Sequence, residues 1–170
     1  MSPTLFAEKS ISRVVILHLI AVLFVIFNIS DIRIGGLAKL IPLFDLMMVF
    51  YFAVFRRTFG MWFIFLLGIW NDALNGNPLG LTPLCYITLI KIFITLNQRL
   101  VIRENFKQLW QQFAIFCFCF LCLKWMILSV FNTAFYSVIT ILVQFVLTTS
   151  FYVLMHKFFD YLYQKLIEEN

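Results

Sequence analysis

Four ionisable side chains stand inside otherwise apolar runs of this chain: Asp45, Asp72, Lys91 and Lys124. In hydrocarbon each would cost about 2.5–3.5 kcal/mol at mid-bilayer, so each needs a partner, water or a route to the interface. Two carboxylates and two ammoniums offer mutual neutralisation as their chemistry. Their depths follow from a helical rise of about 1.5 Å per residue. Counted from the flanking basic residues, Asp45 lies at roughly 17 Å, Lys91 at roughly 12 Å, Asp72 at roughly 22 Å and Lys124 at roughly 26 Å. Depth therefore pairs Asp72 with Lys124 in the outer half, and Asp45 with Lys91 nearer the middle. The alternative is that both lysines snorkel and both aspartates face wet loops.

Other reactive residues do not assemble into a catalytic pattern. There is no Gly-rich phosphate loop, no pair of histidines at ligand spacing and no Gly-x-Ser-x-Gly elbow. Cys117, Cys119 and Cys122 resemble a metal cluster only in spacing, because residues two apart on a helix point nearly opposite ways. They and Cys85 read as packing residues within apolar runs, so no metal, cofactor or disulfide is expected and the chain is not expected to be an enzyme. His18 reads as a packed or hydrogen-bonded residue of the first apolar run.

These residues must be positioned by helices in lipid. Hydrophobic residues make up 63% of the 170 and charged ones 12%, where a soluble domain carries about 25% charged. The apolar runs define an all-α, polytopic membrane bundle with six transmembrane helices at about 14–29, 37–55, 59–74, 79–97, 109–131 and 134–155. The tail from His156 to Asn170 carries Phe158, Phe159, Leu162 and Leu166 at helical spacing, as an amphipathic extension along the membrane surface or a solvated end. The stretch from Arg56 to Pro83 is expected to be the helix around which the others pack. In it Gly68, Asp72 and Gly76 recur every four residues and share a face. A glycine there lets another backbone come close, with the carboxylate above the contact.

The net charge of +5 is spread singly or in pairs near span ends, a pattern of membrane topology, not of nucleic-acid binding. With six spans, one side receives Lys9, Arg13, Arg56, Arg57, Arg99, Arg103, Lys107, Lys157 and Lys165. The other receives Arg33 and Lys39. This asymmetry puts both termini in the cytoplasm.

The order Gly68-x-x-x-Asp72-x-x-x-Gly76-x-Pro78-Leu79-Gly80, after an aromatic span preceded by Phe55-Arg56-Arg57, resembles the rod shape-determining MreD family. The span from Pro42 to Phe55 ahead of the arginine pair is similar to that family too. The specific part of the resemblance covers residues 42 to 83; the later spans match by hydropathy. The resemblance implies a non-enzymatic inner-membrane component of the bacterial elongation machinery. Such a component pairs with the bitopic protein MreC and helps couple MreB filaments to a RodA-type glycosyltransferase and its penicillin-binding transpeptidase. It also implies a fold like the substrate-binding subunits of energy-coupling-factor vitamin transporters. Carried onto this chain, Asp72, Gly76, Pro78 and Gly80 would shape an outward-facing turn or pocket.

Two functions compete. The first is an interaction protein offering an outward groove and intramembrane surface to a partner. The second is a solute-binding transporter subunit, with Asp45, Asp72, Lys91 and Lys124 lining a cavity near mid-membrane. Such subunits usually carry an Ala-x-x-x-Ala stripe in the first span. Here that span, RVVILHLIAVLFVIF, has only Ala21, which favours the interaction protein.

Overall fold

A computed structural model describes residues 3–27, 42–97, 106–132 and 138–168. Within them the chain is all-helical and forms six helices in sequence. Helix α1 covers Pro3–Phe27, and α2 starts as Phe44–Val49 and continues in wider, π-type turns over Phe50–Phe55. Helices α3 and α4 cover Met61–Asn75 and Leu81–Asn97. Helix α5 covers Phe106–Asn132, and α6 covers Val138–Tyr163 with a π-type continuation over Gln164–Glu168. Residues 28–41, which include the start of the second expected span, and 98–105, between the fourth and fifth, lie outside the described residues.

Helix ends follow local chemistry. Pro3 suits a first helical position because its missing N–H has no helical partner there, so α1 begins well before the span expected from residue 14. Gly76 ends α3 at φ 64°, a left-handed conformation that glycine adopts without a Cβ clash, and its N–H bonds the Asp72 carbonyl.

Helix α2 occupies the centre of the bundle. Every residue from Asp45 to Val54 is buried, as expected of a helix that is apolar on all sides. Its two halves of six residues each give a length of about 18 Å. Phe50 meets Phe113, Phe116 and Tyr152, while Phe52 meets Phe59 and Phe159. The central place expected for the 56–83 stretch therefore belongs to α2. Helix α3 is peripheral: it buries Ile64, Leu67, Gly68, Asn71 and Asp72 and exposes Trp62, Phe65, Leu66 and Trp70. Its polar residues point inward and its bulky apolar ones outward.

Large apolar side chains stay exposed on other helices too. Phe106–Val130 and Val138–Leu166 are long and apolar enough to cross a membrane, yet only 28% and 17% of their most apolar windows are buried inside the protein. A core helix of a soluble protein would hide those faces; here Ile115, Phe118, Met126, Val146 and Leu154 are among the exposed residues. Val14–Ile26, Phe44–Phe55 and Leu81–Leu96 are shorter apolar helices.

The helical extension beyond Met155 continues α6 without a break. Its apolar side meets the bundle: Phe159 is fully buried and packs against Phe24 of α1 and Tyr51 of α2.

Candidate functional site

The turn between α3 and α4 is built around one carboxylate. Asp72, 0% exposed, accepts the backbone N–H groups of Gly80 and Thr82 on Oδ2 at 3.1 and 3.0 Å. Its Oδ1 accepts the Thr82 hydroxyl at 2.5 Å. These N–H groups belong to the start of α4, where helical donors have no partner in their own helix and the dipole favours negative charge. Asp72 thus caps the helix that follows its own. The Asp72 carbonyl takes the N–H groups of Gly76 and Asn77, so one residue closes both ends of the turn.

Gly68, Gly76, Pro78, Leu79 and Gly80 serve the same turn. A Cβ on Gly68 would lie 2.7 Å from the Pro83 nitrogen and 2.8 Å from its Cα. Only glycine lets α3 approach α4 this closely. Pro78 accepts the Leu81 N–H at 3.2 Å, Gly80 adopts φ 98°, and Leu79 projects outward, 72% exposed.

One turn deeper, Asp45 of α2 is 3% exposed. Its Oδ2 accepts from the Asn71 amide at 2.5 Å and from the Tyr86 hydroxyl at 2.7 Å. Asn75 donates to the Asn71 carbonyl and side-chain oxygen at 2.9 and 3.0 Å, which orients the Asn71 amide toward Asp45. Asp72 is held by the α4 N-terminus, and Lys91 is exposed on the outer face of α4. The Lys124 ammonium lies 5.9 Å from the Phe120 ring centroid, one turn back along α5, as the N-terminal tilt of a helical Cα–Cβ bond favours.

A cleft of about 130 Å³ opens between the start of α2, α5 and α6, lined by Leu43, Leu121, Lys124, Trp125, Ile141 and Gln144 among others. Of the four intramembrane charges Lys124 alone lines it. Asp45 and Asp72 are turned to donors of their own chain, so the four do not share this cavity. The cleft lies apart from the α3–α4 turn.

A second polar cluster, unread in the sequence, joins the C-terminal ends of α2 and α6. Arg56 donates to Asp160 at 3.0 Å and to the Tyr51 hydroxyl at 3.2 Å, and Tyr51 also donates to Asp160. The guanidinium lies 4.2 Å from the Tyr163 ring centroid, and His156 approaches Asp160 at 3.4 Å. Asn71, Thr82 and Tyr86 are the partners that sequence reasoning missed around the aspartates. Asn71 carried a signal, as a second polar residue beside Asp72 in an apolar helix; Thr82 and Tyr86 carried none beyond being able to donate. His18 donates to the Val14 carbonyl at 2.7 Å and packs on Phe63. Cys85 and Cys117 are buried and free, and Cys119 and Cys122 are half-buried.

The sequence profile of one family matches residues 8–162; it is described as rod shape-determining protein MreD. No curated protein and no solved structure matches the chain.

Proposed function

We propose that this chain, which belongs to the MreD family of rod shape-determining proteins, is a non-enzymatic membrane scaffold of the cell-shape machinery. It crosses the inner membrane six times with both termini in the cytoplasm, binds an MreC-like bitopic protein, and helps link MreB filaments to a RodA-type glycosyltransferase and a penicillin-binding transpeptidase. The family match along nearly the whole chain carries this reading. The interior supports it: Asp45 and Asp72 are occupied by donors of the chain itself, which is how a rigid scaffold uses buried charge. The apolar exterior is the surface that such a protein offers to lipid and to partner helices.

The test is affinity capture of the full chain from mild detergent, with and without Asp72→Ala. Recovery of an MreC-like or RodA-like protein with the unaltered chain is expected, and reduced recovery with the variant. Recovery of an ATPase module in their place would overturn the scaffold.

A further inference from the structure

Lys91 is the intramembrane charge that points away from the bundle. It is exposed on α4, and among the described residues its ammonium makes no hydrogen bond or ion pair. Thr88 and Thr95, also exposed, lie three and four residues from it and so on the same helix face. Leu84 and Ile92 flank this stripe, 57% and 47% exposed. A cation on the lipid side of an apolar helix needs an anion or an escape to the interface. Escape runs against geometry. The nearer helix end is Asn97, about 9 Å away along the axis, while the Cα–Cβ bond of Lys91 starts toward the opposite end.

We infer that the α4 face of Leu84, Thr88, Lys91 and Thr95 docks a transmembrane helix of a second protein that carries a carboxylate at the depth of Lys91. The two threonines are small enough for a helix to come close on either side of the ammonium. Charge complementarity selects the occupant. Inside its apolar runs a second copy of this chain offers only Asp45 and Asp72, and both are buried and hydrogen-bonded. This inference rests on the scaffold reading and adds which helix binds and what the partner helix must carry.

A photoreactive phenylalanine placed in the full chain at Thr88, at Thr95 and, as control, at Leu66 on α3 tests it in native membranes. Positions 88 and 95 should crosslink one protein with an Asp or Glu inside an apolar span, and Leu66 should not. Lys91→Glu should lower that crosslink roughly tenfold, and changing the partner's carboxylate to lysine should restore it. Lys91 is exposed, so Lys91→Glu and Lys91→Gln should accumulate like the unaltered chain. If Lys91→Glu accumulates poorly, Thr88→Trp blocks the face by bulk with the charge intact and should give the same loss. Crosslinks only to lipid, only to a second copy, or insensitive to these variants would overturn the docking face. In that event an MreC-like protein still captured by the unaltered chain leaves the scaffold reading standing; its absence from that capture is the separate failure.

Discussion

Asp72 acts on its neighbours through position, and its variants should separate by how many donors they orphan. Asp72→Ala leaves the Gly80 and Thr82 N–H groups and the Thr82 hydroxyl without their acceptor, a loss of about 1–3 kcal/mol for such a buried site. Asp72→Asn keeps one acceptor oxygen and should lose less, and Thr82→Val, which removes one bond, less again; thermal unfolding in detergent ranks the three. At Gly68 the obstacle is the Pro83 backbone, which cannot swing aside as a side chain can. Gly68→Ala should therefore cost about 1–3 kcal/mol by overpacking, measured the same way. The charges call for a double-mutant cycle. Asp72, held by the Gly80 and Thr82 donors, and Lys124 should be additive within about 0.5 kcal/mol. The opposite result would restore the pairing by depth.

Helix α6 shows how an element with an ordinary apolar pattern gains a defined place. Its end is held to α2 by Arg56, which reaches Tyr51 and Asp160 together and covers the Tyr163 ring. The Arg56 and Asp160 side chains are 25% and 36% exposed, so solvent screens the pair and its charge alone contributes about 0–1 kcal/mol. Shape adds the rest, since a guanidinium donates along two directions and stacks where an ammonium cannot. Arg56→Lys should thus resemble Arg56→Ala, with faster hydrogen exchange over Gln164–Glu168 in both. Packing matters more than the latch: Phe159→Ala, at a fully buried ring, should cost about 3–5 kcal/mol. Stability unchanged by that substitution would mean that the extension lies on the membrane surface.

At the scale of the whole molecule, an apolar core holds a few paired polar side chains, among them Asp45, Asn71 and Asp72, while many large apolar side chains stay on the outside, as suits a protein whose solvent is lipid. The proposed six-span orientation makes opposite demands on two turns. Asn77→Cys should react with a membrane-impermeant thiol reagent added from outside, and Arg57→Cys only after the cytoplasmic face is opened. Labelling of Asn77→Cys from the cytoplasm alone would end the orientation and the outward turn together.

The sequence by itself determined the helical class, the lipid-facing character and the family, because composition, apolar run length and the glycine–aspartate spacing are local quantities. It also marked Gly68 and Asp72 as one contact, since a four-residue spacing puts both on one helix face. Only the tertiary structure decided that α2 is central, that Asp45 is held by Asn71 and Tyr86, and that the last helix folds back onto α2 through Arg56 and Asp160. Periodicity tells which side of a helix is polar and rise tells how deep a residue lies, but neither says which helix stands opposite. That choice belongs to packing, and packing is settled only when all the helices are present.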